Sequence, residues 1–178
     1  MAKQKHYINN ADFMQALVAY KESCIKAESE KRPVPAIPNY IGECFMKIAE
    51  GLSHKPNFIN YTYREDMISD GIENCLQYFN NFDPTKSNNP FAYFTQVIYF
   101  AFLRRIQKEK KQQYVKYKAT EQMGILDEFE MMEFEDGSSK QFQLYDNIAE
   151  FIENYEVARE TKKAATKKIK GIEKFLGE

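Results

Sequence analysis

Apolar residues recur along this chain at helical spacing, and the stretches between them are rich in proline, asparagine or charge. Over residues 11–30, Phe13, Leu17, Tyr20 and Cys24 fall four, three and four apart, which sets them on one face of an amphipathic helix. Asn10 is the expected N-cap, because its short side chain can accept from an orphan amide of the first turn. KRPVPAIP (31–38) carries three prolines in its last six residues and predicts an extended connector. A second helix is predicted over 39–52, with Ile41, Phe45, Ile48 and Leu52 in one stripe. The loop SHKPNFINYT leads into a third helix, where Thr62 and Glu65 have the spacing of a capping box.

On that third helix Met67, Ile68, Cys75, Leu76 and Phe79 make the apolar side. Asp66, Asp70 and Glu73 fall at i, i+4 and i+7, so three carboxylates point one way. Phe82-Asp83-Pro84 closes the helix and TKSNNP forms the turn. The fourth helix is predicted from Pro90, a good first-turn residue, to about Gln113, with Phe94, Val97, Ile98, Ala101, Phe102 and Ile106 toward the core. Phe91, Tyr93, Gln96, Tyr99, Phe100 and Leu103 do not all fit on that stripe. A helix apolar nearly all round is either a central core helix or one with a second partner. Further on, the pattern predicts a small hairpin near 130–145, turning at Asp136-Gly137. Leu144, Ile148, Phe151, Ile152 and Tyr155 return to helical spacing over 144–156. The chain therefore reads as all-α: a helical bundle, an acidic and partly irregular extension, and a short tail.

Charge divides these elements further. The formal net charge is −1, yet residues 91–120 hold seven Lys/Arg against one Glu, and residues 121–160 hold two against twelve Asp/Glu. Residues 161–178 are basic again, with six Lys and two Glu. Blocks like these suggest separate binding surfaces or tails. We set the functional boundaries at 1–118, 119–160 and 161–178. The three cysteines, Cys24, Cys44 and Cys75, are far apart, and only two histidines accompany them, so no zinc-ligand spacing is present. No run of about 18 apolar residues suggests a membrane span, and the polar N-terminus lacks a signal core, so cytoplasmic residence is expected.

The aromatic start of the fourth helix and its basic end, Arg104, Arg105, Lys108, Lys110 and Lys111, combine rings that can stack on bases with cations that can hold phosphates. Part of the basic run can equally serve the helix dipole. A rival reading takes Glu65, Asp66, Asp70 and Glu73, with Glu43 and Glu50, as magnesium ligands of an all-α nucleotide pyrophosphohydrolase. A helical nucleic-acid-binding adaptor is a third reading. At the end of the chain, Ile172, Phe175 and Leu176 make a compact hydrophobic plug on a Lys-rich arm.

The order DMISDG, an FD pair, a turn, aromatics and then Arg/Lys resembles the second conserved region of bacterial sigma factors. There Asp66 matches the first Asp of the family's DLxQEG pattern, Asp70 its Glu, Gly71 its Gly and Phe82 its later Phe. NPFAYF stands where that family has FSTYA, with an insertion or deletion between. Over most of 7–178 the chain is similar to the late-promoter sigma factors of T-even-type tailed phages. The likeness is carried by IAEGLS, NFINYTYREDMISDGIE, NFDPTKSNNPFAYFTQ and RIQKEKK. It implies a non-enzymatic factor, without cofactors, that directs host bacterial RNA polymerase core to AT-rich −10-type late promoters. Asp66, Asp70, Ile72, Glu73 and Leu76 would contact the coiled coil of the largest polymerase subunit. Phe91, Tyr93, Phe94 and Tyr99 would meet unpaired promoter bases, Gln96 would contact DNA beside them, and the Arg/Lys run would hold phosphates. Ile172, Phe175 and Leu176 would dock on a phage DNA sliding clamp, and a phage late co-activator is a further implied partner. No counterpart of the family's upstream-recognising helix-turn-helix is visible, so −35 recognition is not expected.

Overall fold

A computed structural model of the protein describes residues 8–124 and 140–175, with side chains of the last helix described over 146–165. The described residues are all-α: five helices, no strand. No helix among them is long and apolar enough to cross a membrane. By compactness the chain divides into two units, residues 1–107 and 108–178.

The first unit holds α1 (Asn10–Ser29), α2 (Asn39–Ser53), α3 (Arg64–Gln77), a 3-10 turn at Phe79–Asn81 and the first half of α4 (Pro90–Gln122). Its core is aromatic, and Phe94 is the hub. The Phe94 ring lies 4.6 Å from Phe45, 5.7 Å from both Phe13 and Phe82, and 6.4 Å from Phe79. Leu17, Ile41, Ile48, Met67, Ile98 and Phe102 are buried with them. Such tilted and stacked pairs add about 0.5–1.5 kcal/mol each beyond their area burial. Cys44 and Cys75 are buried and Cys24 half-buried, all three free. Burial pushes the Cys75 thiol up to about 12.

Three local expectations change. Asn9, not Asn10, caps α1: its Oδ1 accepts from the Ala11 amide at 3.1 Å. Asn10 instead accepts from the Phe91 amide at 3.2 Å and donates to the Asn88 carbonyl, tying α1 to the start of α4. The Thr62–Glu65 capping box does not form. Helix α3 begins one residue later, after Tyr63, with no side-chain cap, because the Tyr61 and Tyr63 rings pack together at 5.2 Å and partly against the core. Helix α3 also ends at Gln77, before the expected Phe82. A 3-10 turn follows, and Lys21 donates to the carbonyls of Asn80 and Phe82 that the turn leaves open.

In the second unit, the end of α4 pairs with α5 (Lys140–Phe175). The Tyr114 ring stacks on Tyr155 at 4.4 Å and its hydroxyl donates to Glu156 at 2.8 Å. Tyr117 meets Phe151 edge-on at 5.3 Å, and Lys118 bridges Glu121 and Glu156. Lower-numbered α4 residues meet higher-numbered α5 residues, so the pair is antiparallel. This pairing carries α4 past Gln113 to Gln122. The hairpin expected near 130–145 is replaced by helix over 140–145, since neither Gly nor Pro interrupts 140–170; residues 130–139 lie outside the described residues. The Lys-rich tail, expected as an arm, continues α5 through Phe175, as its Ala, Lys and Glu favour. Helices α4 and α5 run through 118/119 and 160/161, where the functional boundaries were set.

Candidate nucleic-acid and protein interface

The site is built on the first unit's α3 and α4, and the start of α4 is fixed from both sides. The Asp83 carboxylate accepts from the Thr85 amide at 2.9 Å and hydroxyl at 2.7 Å, making a tight turn. Those two donors hold its carboxyl below the usual range, with Lys86 assisting. Asn89 then accepts from the Ala92 amide at 3.0 Å, and Asn10 takes the Phe91 amide. Pro90, buried, opens the helix where no amide is needed.

From there the helical repeat sorts the side chains. Phe94, Ile98, Ala101, Phe102 and Ile106 face inward, as the spacing predicted, with Val97 partly buried. The outer stripe reads Gln96, Tyr99, Phe100 and Arg104, all exposed, with Leu103 half-buried between them. Tyr99 rests edge-on against buried Phe58 at 5.6 Å, and Phe100 edge-on against Tyr99 at 5.9 Å. The rings are therefore displayed and braced at once. Phe100, 48% exposed, was not among the expected DNA contacts, although the same count of positions that buries Phe102 turns it outward.

The expected DNA set divides. Gln96, Tyr99, Arg104, Lys108, Lys110 and Lys111 are exposed, and Phe91 and Tyr93 half-buried. Tyr93 leans on Phe82 at 5.1 Å; burial, then the nearby Cys75, raises its hydroxyl. Phe94 must be withdrawn: at 0% exposure it presents no face to a base. Lys108, Lys110 and Lys111 belong to the second unit's part of α4.

On α3 the three carboxylates part company. Arg105, on the inward-leaning side of α4 and with its side chain 15% exposed, reaches Asp70 at 2.9 Å and Asp66 at 3.3 Å. Arg104 donates to the Asn74 amide oxygen, a second tie between the helices. Glu73 and Leu76 stay exposed and Ile72 is partly buried. Of the residues expected to contact polymerase, Glu73 and Leu76 thus stay exposed, while Asp66 and Asp70 already have a cation. Between the helices lies Gly71: a Cβ there would stand 3.0 Å from Ile98 and 3.1 Å from Phe102, so glycine permits the close approach that brings Arg105 into reach.

The magnesium reading gains nothing from this geometry. Arg105 occupies Asp66 and Asp70, Glu43 pairs with Lys47 at 3.8 Å, and among the described residues no group of three or more His, Cys, Asp or Glu can hold a metal ion. Of the plug residues, Ile172 and Phe175 lie on α5's backbone and Leu176 lies outside the described residues. No protein-family model matches the chain, and no curated protein matches it at a significant level.

Proposed function

We propose that the protein is a sigma-like initiation factor that joins bacterial RNA polymerase core and directs it to AT-rich promoters. The carrying observation is the outer stripe of α4: Gln96, Tyr99, Phe100 and Arg104 exposed on one face, on a helix whose opposite face is locked into an aromatic core. Exposed rings beside cations suit a melted strand, since every base offers a π-face and every nucleotide a phosphate. The motif order shared with sigma factors supplies the second support, and the exposed Glu73 and Leu76 on α3 the third. Tyr99 and Phe100 capture unpaired bases in this reading. Glu73 and Leu76 meet the polymerase, and the end of α5 meets a sliding clamp.

Pull-down with bacterial polymerase core, followed by transcription from an AT-rich promoter with and without loaded clamp, tests it. The unsubstituted chain should co-purify and support specific initiation. Glu73→Lys with Leu76→Ala should abolish co-purification, because it reverses one charge and removes an apolar contact. Retained co-purification of that variant would take the polymerase surface off α3.

A further inference from the structure

Arg105 occupies two roles that exclude each other. The sigma-like reading assigns the basic run of α4 to phosphates and Asp66 and Asp70 of α3 to a partner protein. In the structure these groups neutralise one another, at 2.9 Å and 3.3 Å. The Arg105 side chain is only 15% exposed, whereas those of Asp66 and Asp70 are 60% and 32% exposed. The carboxylates are therefore open to an incoming cation while the guanidinium is turned away from solvent. Arg104, one residue earlier, is exposed.

We propose that the Arg105–Asp66–Asp70 clasp restrains DNA binding by the free chain. Resting on the reading above that α3 meets the polymerase, a basic partner surface takes over the two carboxylates and hands Arg105 to a DNA phosphate. Charge complementarity sets the direction: carboxylates on a protein-binding face select a basic surface, and each carboxylate so engaged loosens its hold on Arg105. The released side chain is long, so it needs only to swing outward. No covalent step is involved, and the equilibrium shifts only as far as the partner prefers the open state.

The sign of a substitution tests the clasp. Asp66→Asn with Asp70→Asn should tighten binding of the free chain to a fluorescent oligothymidylate by about fivefold, the size of one surface ion pair. The slope of log affinity against log salt should steepen by about 0.7, one phosphate contact on a single strand. Adding Arg105→Gln should erase both gains. A gain that survives Arg105→Gln would be a general field effect and would overturn the clasp, as would no gain at all. Asp66→Asn alone, at a well-exposed position, guards against a folding defect. It should give a smaller gain of the same sign that is likewise lost with Arg105→Gln, and its absence would count against the clasp.

With saturating polymerase core, wild type and the double variant should share one salt slope in promoter binding. A persisting difference would refute the hand-over. Failure of the wild-type chain to co-purify with polymerase core would remove the initiation-factor reading and the hand-over together, while the oligonucleotide cycle still judges the clasp.

Discussion

Phe94→Ala and Tyr99→Ala should fail in opposite ways, although the sequence places both rings on one aromatic helix. Phe94 is fully buried, with four other phenylalanine rings within 6.4 Å of it. Truncating such a residue removes its transfer energy and leaves a cavity, together costing about 3–5 kcal/mol. A domain has only about 5–15 kcal/mol to lose. At about 4–8 °C per kcal/mol for a unit of this size, the melting temperature should fall by about 12 °C or more. Tyr99 is 37% exposed and touches the core only through its edge-on contact with Phe58. Its loss should cost the fold about 0.5–1.5 kcal/mol but weaken single-strand binding by about 1–3 kcal/mol, the value of one stacked base. Circular dichroism melts and oligonucleotide anisotropy well below the melting temperature read the two effects separately. If Phe94→Ala melted within about 3 °C of wild type yet lost DNA binding, the ring would be accessible to a base and the buried assignment wrong.

Gly71→Ala should gain about 1 kcal/mol of helix propensity but lose about 1–3 kcal/mol to overpacking, because fully buried Ile98 and Phe102 cannot yield. A lower melting temperature is expected, and a higher one would show that α3 and α4 separate without cost. The Cys75 thiol is raised from 9.0 to about 12 by burial, so the fold favours the neutral thiol. Its contribution is complete below pH 9 and is lost as pH rises toward 12, with a slope of up to about 1.4 kcal/mol per pH unit. Urea unfolding between pH 8 and 10 should show that slope reduced in Cys75→Ala, and identical slopes would mean the thiol ionises in place. Deleting residues 170–178 should remove stimulation by loaded clamp while basal transcription persists; an undiminished response would dismiss the plug.

The helical pattern was legible wherever apolar residues recur at helical spacing along the face an element turns to the core. Phe13, Leu17 and Tyr20 on α1, Ile41, Phe45 and Ile48 on α2, and the inward set of α4 all follow from spacing. What escaped the pattern was decided by distant partners. Asn9 and Asn10 are equally good caps by type, and it is the Phe91 amide and the Asn88 carbonyl that assign Asn10 elsewhere. The end of α4 has no apolar stripe beyond Ile106 because α5 supplies its contacts. A basic run looks uniform when counted as charge, which hid Arg105 among four exposed cations. The signal was nonetheless present: positions 94, 98, 101 and 105 step by four, three and four, so Arg105 lies on the same seam as Phe94 and Ile98.

Under the proposed function, that seam explains how one helix can display rings to a strand without collapsing around them. An exposed aromatic side chain on a loose helix would lose much of its stacking energy to the ordering it undergoes on contact. Here the ordering precedes binding. Asn89, Asn10 and the Asp83 turn fix the first turn, Phe94 and Ile98 anchor the inner face, and Phe58 braces Tyr99 from below. Arg105 and Gly71 then decide how closely α3 follows. Within the clasp the guanidinium and the two carboxylates are spent on one another, so in the proposed reading Arg104 meets phosphate in the free chain and Arg105 only after a partner takes the carboxylates over.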